Sequence, residues 1–217
     1  MIKIENPVFP SPVQWNIVTK GMRNAMNSWD RSDSCIIKIV NPKTLNEADF
    51  DFFMGDNDES LAMRLSEGGG PHAKYRRMLP IYVDITAPLY WWKEFDTYKI
   101  GTVANSCSTM HKIHAKEFDI SDFSTDHLIE TNIEILNEII KALNTARKNY
   151  ILSNDKKYWW QLIQLLPSSY NQKRTVMFNY EVAGQMHKWR KDHKLDEWRE
   201  FCKWLETIPH SELFVGE

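Results

Sequence analysis

The segment Pro80–His111 reads PIYVDITAPLYWWKEFDTYKIGTVANSCSTMH and holds the clearest structural signals of the chain. Apolar residues alternate over Ile81–Ile85, which is typical of a half-buried strand. Pro88 blocks further strand pairing and suits the start of a helix, because proline lacks an amide hydrogen. We therefore predict a strand that leads into an aromatic helical turn at Tyr90–Tyr98, followed by a polar loop.

The composition is that of an ordinary globular chain. Its 217 residues, 42% hydrophobic and 26% charged, can build a sizeable core in one or at most two domains. No internal repeat or credible linker divides the chain, so we predict a single domain over residues 1–217. The net charge of −2 gives no general reason to expect a nucleic-acid or membrane partner, and no apolar run approaches the roughly 18 residues of a membrane span. With no secretory leader, we predict a cytoplasmic protein.

The rest of the chain predicts a few short strands and dominant long helices. Strands are predicted near Ile2–Ile4 and at Cys35–Val40. Helices are predicted at Val13–Trp29, Glu59–Ser66, Thr125–Tyr150 (capped by Ser124 or Thr125), Lys156–Leu166, Tyr170–Arg190 and Leu195–Leu205. The run Gly68–Gly70 indicates a hinge or helix cap, because a phosphate loop would end in Lys-Ser/Thr. The predicted fold class is α/β (α+β), with a small mixed or antiparallel sheet.

Nine polar residues crowd the segment after the predicted central strand and form the first candidate site. They are Lys93, Glu94, Tyr98, Lys99, Thr102, Asn105, Ser106, Ser108 and His111. Hydroxyls, an amide and cations together suit a phosphate monoester or the edge of a nucleobase, because such ligands need directed donors and positive charge. The alternative is a capped helix and a surface loop whose Asn and Ser side chains satisfy only backbone groups.

The most basic stretch, Lys173–Arg199, is a second candidate. Acids such as Glu181 and Asp196 are interspersed with its cations, which favours a solvated, salt-bridged helical face over a DNA-binding surface. One or two of the cations remain candidate ligand groups. The three cysteines and seven histidines show no metal-ligand spacing, so we predict reduced thiols and no metal site.

The segment Pro80–His111 also resembles the signature of flavin-dependent thymidylate synthases. In that family an apolar strand leads through a proline and an aromatic to Arg-Gln-Trp, then Arg-His-Arg-x-x-Ser, then Asn-Glu-x-Ser-x-Arg-Tyr. The corresponding runs here are Ile85–Tyr90, Lys93–Phe95, Thr97–Thr102 and Asn105–His111. A second block follows in the family's order, with Leu165-Leu166-Pro167 and then Asn179, Gln185, Arg190, His193, Glu197 and Arg199.

The resemblance implies an α/β subunit that assembles into a homotetramer, with FAD and dUMP bound where subunits meet. The implied reaction is the reductive methylation of dUMP to dTMP. Methylenetetrahydrofolate would supply the carbon, reduced FAD the hydride, and NADPH would reduce the flavin. Because the cofactors carry most of this chemistry, no catalytic triad need be visible in the sequence.

The site roles implied by position fall into three groups. Arg190 and Ser108 would be catalytic, with Arg190 stabilising negative charge that develops near the pyrimidine carbonyl. The cofactor-binding residues would be Tyr98, Lys99, Thr102, Asn105, Gln185 and His193. The substrate-binding residues would be Lys93, Glu94, Ser106, Ser108, Arg174 and Arg190.

Four signature positions differ in chemistry from the family. Thr97 and Met110 stand where the family has phosphate-binding arginines, Tyr98 replaces a histidine, and Ser106 replaces a glutamate. Lys99 keeps a positive charge but lacks the planar fork of arginine. The alternative function is therefore a catalytically altered or inactive relative that binds a nucleotide or a protein partner.

Overall fold

The computed structural model describes residues 2–39 and 49–215 and is built on a four-stranded antiparallel sheet. The strands, in spatial order, are β1 (Lys3–Val8), β4 (Pro80–Pro88), β6 (Asn171–Asn179) and β5 (Thr102–Ser106). A second, two-stranded antiparallel sheet pairs β2 (Cys35–Ile39) with β3 (Asp49–Phe53). The predicted α/β class with a small antiparallel sheet is confirmed, and the predicted strand residue Val40 lies outside the described residues.

The central strand β4 is the one that the alternating pattern predicts. Ile81, Val83 and Ile85 are completely buried on one face, whereas the intervening Tyr82 is about half exposed. Pro88 is the last residue of the strand, and helix α3 (Leu89–Phe95) follows it directly. The strand therefore delivers the polar segment to one end of the sheet.

Strand β6 corrects the prediction of a helix over Tyr170–Arg190. Asn171–Asn179 is extended, and only Tyr180–Arg190 is helical (α6). Val176 and Phe178 are completely buried, and every residue of the strand has a partner on β4. Pairing along the full length of a central strand outweighs the local helix preference, because strand formation depends strongly on tertiary context.

The predicted polar loop after α3 is also partly a strand, because Thr102–Ser106 forms β5 at the edge of the sheet. Gly101 enters this strand with φ at +82°, in the left-handed region. A Cβ at Gly101 would lie 2.8 Å from the Nδ2 of Asn179, the residue that caps α6. Glycine therefore allows β5 to approach the start of α6.

The other helices are α1 (Pro12–Met22), α2 (Asp56–Glu67), α4 (Glu130–Ser153), α5 (Lys156–Leu165) and α7 (Asp196–Leu205). Helix α1 ends before the predicted Trp29, because the chain tightens into a 3₁₀ turn at Arg23–Met26. Helix α4 starts later than Thr125 and is not capped by Ser124, whose hydroxyl instead donates to Asn171 Oδ1 at 2.9 Å. Gly68 caps the C-terminus of α2, as the glycine run predicts.

Buried apolar residues form two clusters. The larger lies between the sheet and the helices on one of its faces, and aromatic residues of α3 and α7 meet in it, with the rings of Trp91 and Trp198 4.7 Å apart. The smaller packs α4 and α5 around residues such as Leu143 and Leu162. Among helices within residues 2–39 and 49–215, none combines the length and apolarity that crossing a bilayer requires.

Candidate functional site

Arg190, the last residue of α6, is the centre of a polar cluster at the C-terminal end of α3. Its Nε donates a hydrogen bond of 3.0 Å to the hydroxyl of Tyr98, and its Nη1 forms an ion pair with the carboxylate of Glu94. Its guanidinium carbon lies 5.1 Å from the ring centroid of Trp198, within range of a cation–π interaction. We call Glu94, Tyr98, Arg190, His193 and Trp198 the α3–α6 cluster.

Local packing explains why these side chains meet. Trp91 and Phe95 are buried on the inner side of α3, so Glu94 lies towards the rim of the core and is partly exposed. The chain then turns sharply after α3, because the Tyr98 amide donates to the Phe95 carbonyl and the Thr97 hydroxyl to the Glu94 carbonyl. This turn places the Tyr98 ring 6.1 Å from that of Trp198, next to Arg190.

The surroundings keep Arg190 charged. Burial by itself lowers the pKa of Arg190, but its hydrogen bonds to Tyr98 and Glu94 and the negative charge of Glu94 outweigh that effect and raise the pKa overall. His193 Nε2 lies 3.7 Å from the Glu94 carboxylate, and His193 Nδ1 accepts from the Leu195 amide at 3.2 Å. Because Nδ1 is an acceptor, a neutral His193 carries its proton on Nε2, facing Glu94.

Arg174 occupies a similar position on the other side of α3. It stands on β6 opposite Ser106 of β5, with its guanidinium carbon 4.2 Å from the ring centroid of Trp92. Its Nη1 pairs with Asp96 at 2.7 Å, and its Nε donates to Gln172 Oε1 at 2.9 Å. Both arginines near α3 are thus held by carboxylates of the same chain.

The other predicted site residues are spread over nearby surfaces. Lys93, Lys99 and Asn105 are exposed and form no side-chain hydrogen bond or ion pair within the described residues. Ser108 Oγ accepts from the amides of Met110 and His111, at 3.3 and 2.8 Å, and so stabilises a turn.

Two more predicted residues bond within their own neighbourhoods. The Thr102 hydroxyl donates to the Tyr98 carbonyl, which ties the start of β5 to the turn after α3. Gln185 contacts Glu181, which is itself paired with the buried Arg76. The structure therefore brings Glu94, Tyr98, Arg190 and His193 together, and Ser106 with Arg174, but adds neither Gln185 nor the exposed lysines to the cluster.

The prediction missed three residues that organise this region: Asp96, Gln172 and Trp198. Asp96 follows α3 directly, and a carboxylate two positions after Glu94 was visible in the sequence, but nothing linked it to Arg174, 78 residues away. Gln172 holds Arg174 and also donates to the Cys107 carbonyl at 2.6 Å. Trp198 lies within the basic stretch Lys173–Arg199, and no motif in the sequence links it to Trp91 or Tyr98.

Comparison with solved structures shows where this architecture occurs. Thymidylate synthase X from Helicobacter pylori, crystallised with FAD and dUMP, superposes with a TM-score of 0.64 at 17% identity, over 99% of this chain and 97% of that one. A second structure of the flavin-dependent enzyme from that organism, also with FAD and dUMP, gives 0.64 at 18% over the same shares. The chain has the fold of a flavin-dependent thymidylate synthase.

The solved structure of a nucleotide methylase also resembles this chain. The UMP/dUMP methylase PolB from Streptomyces cacaoi, bound to 5-Br dUMP, superposes with a TM-score of 0.54 at 10% identity, over 95% of this chain and 88% of that one. No family model matches the sequence, and no curated protein sequence matches it. The similarity is thus carried by the three-dimensional structure and confirms the predicted fold.

The side chains around the α3–α6 cluster have the chemistry to hold a flavin nucleotide. Tyr98 and Trp198 supply aromatic surface, and Thr102 and His193 supply hydrogen-bonding groups. The exposed Lys93 and Lys99 supply positive charge for phosphate groups. Arg174 and Arg190 already have carboxylate partners, so an anionic ligand at either arginine competes with a group of the protein.

Proposed function

We propose that this chain is a flavin-dependent enzyme that methylates a pyrimidine nucleotide of the dUMP type. The observation that carries the proposal is the 3.0 Å hydrogen bond between Arg190 and Tyr98. These residues belong to two separate blocks of the family signature, 92 positions apart, and they meet in a chain with the family's fold. The resemblance requires that the two signature blocks form one site, and this hydrogen bond joins a residue of each block.

Arg190 has the properties that the proposed reaction needs. A guanidinium with a raised pKa keeps its charge and its donors, and it stabilises negative charge on a pyrimidine carbonyl when the ring becomes electron-rich. When bound and reduced by NADPH, FAD would supply the hydride, and methylenetetrahydrofolate would supply the carbon. The protein's own task is to orient the rings and exclude water.

The remaining proposed contacts concern positioning. Lys99, Tyr98, Thr102, Asn105, Gln185 and His193 are proposed to contact FAD, and Lys93, Glu94, Ser106, Ser108 and Arg174 to contact the nucleotide beside Arg190. Many of these side chains are exposed on a single subunit. This exposure supports a site completed by a neighbouring copy, and we propose a homotetramer with sites at the subunit interfaces.

The test combines flavin uptake with product formation. The purified protein is incubated with FAD, desalted, and examined for the flavin absorbance band in the blue. It is then supplied with NADPH, methylenetetrahydrofolate and dUMP, and dTMP is measured by mass spectrometry. We expect a yellow protein that forms dTMP, and a colourless protein that forms none would overturn the proposal.

The matched variants are Arg190→Met, Arg190→Lys and Lys203→Met. Arg190→Met should lower the rate of dTMP formation about a hundredfold or more, because a directed donor to the developing charge is lost. Arg190→Lys should recover part of the rate, because it restores charge without the planar fork. Lys203 is exposed on α7 and has no ion pair in the described residues, so its loss should not change the rate.

A second candidate function is a relative that binds a nucleotide or a protein partner without turnover. It is favoured by the pairing of Arg190 with Glu94 and of Arg174 with Asp96, which satisfies both arginines before any ligand arrives. It predicts that dUMP, or a partner protein, raises the melting temperature while no dTMP forms. Detection of dTMP would exclude it.

A further inference from the structure

A cleft of about 520 Å³ lies between α2 and two 3₁₀ turns that follow α1, Arg23–Met26 and Trp29–Arg31. Three of its lining residues are arginines, Arg23, Arg31 and Arg64. Its volume falls within the range of about 300–1,000 Å³ that is usual for small-molecule sites. The cleft shares no lining residue with the α3–α6 cluster, so the proposed catalytic site does not account for it.

Arg23 is the buried member of this set, with 3% of its surface exposed. Its Nε is bound to Asp58, and its Nη1 donates to the carbonyl and the hydroxyl of Ser28, at 3.4 and 3.3 Å. Its Nη2 is buried and has no hydrogen-bond partner among the described residues. Buried guanidinium nitrogens are rarely left without an acceptor, because the lost hydration is costly.

Asp58 holds Arg23 in place, and both oxygens of its carboxylate already accept hydrogen bonds. Its second oxygen accepts from the Ser32 hydroxyl at 2.8 Å and from the amides of Asp33 and Ser34 at 3.2 and 3.0 Å. Burial alone would raise the pKa of Asp58, but the hydrogen bonds from Ser34, Ser32 and Arg23 lower it overall. The carboxylate is therefore ionised near neutral pH and fixes the guanidinium.

The other two arginines are free to bind a ligand. The Arg31 side chain is exposed and makes no hydrogen bond or ion pair with the described residues. The Arg64 guanidinium donates only to the Ser60 carbonyl, at 3.4 Å. Asp30 is the acid among the lining residues, and it opposes an anion. With Arg23 neutralised by Asp58, two arginines against one aspartate leave the lining with one net positive charge.

The backbone amides at the N-terminus of α2 are not available to bind an anion in the cleft. The carboxylate of Asp33 already accepts from the amides of Asn57 and Asp58, at 2.9 and 3.1 Å. Guanidinium groups are the remaining strong donors of the cleft, and their planar forks match the oxygens of a phosphate group.

We propose that this cleft binds a small molecule that carries a phosphate or diphosphate group. Arg31 and Arg64 bind the phosphate oxygens, and Arg23 provides a donor at the base of the cleft. Asn27, Ser28, Asn57 and Ser60 offer further hydrogen bonds to the rest of the ligand. This ligand is separate from the nucleotide and flavin proposed for the α3–α6 cluster.

The test is a titration of the full chain with inorganic pyrophosphate, followed by two-dimensional NMR of backbone amides at constant ionic strength. We expect saturable shifts of the amides of Asn27, Ser28 and Asn57. Arg31→Ala and Arg64→Ala should each weaken binding about tenfold, because each removes a charge-assisted contact. Asp30→Asn should strengthen binding severalfold, because it removes the opposing charge.

The controls separate a local site from general attraction between charges. Lys203→Ala removes an exposed cation of α7 and should leave the affinity unchanged. Arg23 is not replaced, because its loss would leave the buried Asp58 without its cation. Since Arg31 and Arg64 are exposed, their variants should melt at the wild-type temperature. Absence of saturable shifts at the cleft, or unchanged affinity in the Arg31→Ala/Arg64→Ala double variant, would overturn the proposal.

Discussion

Replacing Glu94 with glutamine tests whether the ion pair with Arg190 stabilises the fold. The side chains of Glu94 and Arg190 are 38% and 18% exposed, so the pair lies between a surface salt bridge and a buried one. Exposed pairs contribute about 0.2–1 kcal/mol and hydrogen bonds to charged groups about 1.5–3 kcal/mol. We expect Glu94→Gln to lower the free energy of unfolding by about 1 kcal/mol, because glutamine keeps one hydrogen bond but loses the charge.

Urea unfolding at neutral pH measures this loss, and thermal unfolding should show a decrease of about 2–4 °C in melting temperature for a chain of this size. The matched control is Glu200→Gln on α7, because Glu200 is exposed and has no ion pair in the described part of the chain. A double-mutant cycle with Arg190→Met isolates the interaction between the two side chains. A coupling below about 0.3 kcal/mol, the usual error of additivity, would refute this account of the pair.

Two further predictions concern the sheet. Gly101→Ala should destabilise the protein by about 1–3 kcal/mol in urea unfolding, because φ is +82° and the new Cβ would lie 2.8 Å from Asn179. The control, Gly21→Ala in α1, should stabilise the protein by about 0.5–1 kcal/mol, because no atom lies within 4 Å of the new Cβ. Equal effects of the two changes would contradict this reasoning. Hydrogen bonds from Thr175, Asn6 and Lys173 lower the pKa of Asp84 from 3.8 to about 2. The stability that Asp84 contributes is therefore present above pH 3.8 and lost as the pH falls towards 2. Asp84→Asn should make the free energy of unfolding fall less steeply with decreasing pH in this range. An unchanged slope would contradict this role of Asp84.

The central strand β4 was predictable because its buried face is uniformly apolar. Strand β6 was not, although it pairs with β4 along its whole length. Its core-side positions include Gln172 and Arg174, whose polar groups are satisfied by Asp96, by the Cys107 carbonyl and by each other. Polar residues at inward positions interrupt the alternation of apolar and polar residues by which a strand is recognised in a sequence. They are tolerated in the core only because distant residues satisfy their hydrogen bonds.

The start of α4 illustrates a different limit of the sequence pattern. Thr125 was an acceptable cap followed by apolar Leu128 and Ile129, but both of these are exposed before the helix begins at Glu130. The preceding residue, Ser124, is drawn towards β6 through its bonds to Asn171 and Ser169. The hydrogen bonds of Ser124 to residues at the start of β6 and just before it therefore prevent Ser124 from capping α4, and the helix begins later in the chain.

The candidate site was predictable only in part. The family signature predicts Tyr98 and Arg190 in one site, and in the structure the Arg190 Nε donates a hydrogen bond to the Tyr98 hydroxyl. The carboxylate partners were not predicted, because Glu94 lies 96 residues from Arg190 and Asp96 lies 78 residues from Arg174. Such pairs depend on the tertiary fold, which brings side chains at the end of α3 next to Arg190 and Arg174 and which local patterns do not encode.

The register of β5 has a geometric consequence for any ligand of this region. Ser106 stands opposite Arg174 and Asn105 opposite Thr175, and successive side chains of a strand point to opposite faces. Thr102 and Ser106 thus share the face that carries the helices, while Asn105 belongs to the face that carries Asp84. A molecule that touched all three residues of β5 would have to curve around the rim of the sheet, with one part on each side of it.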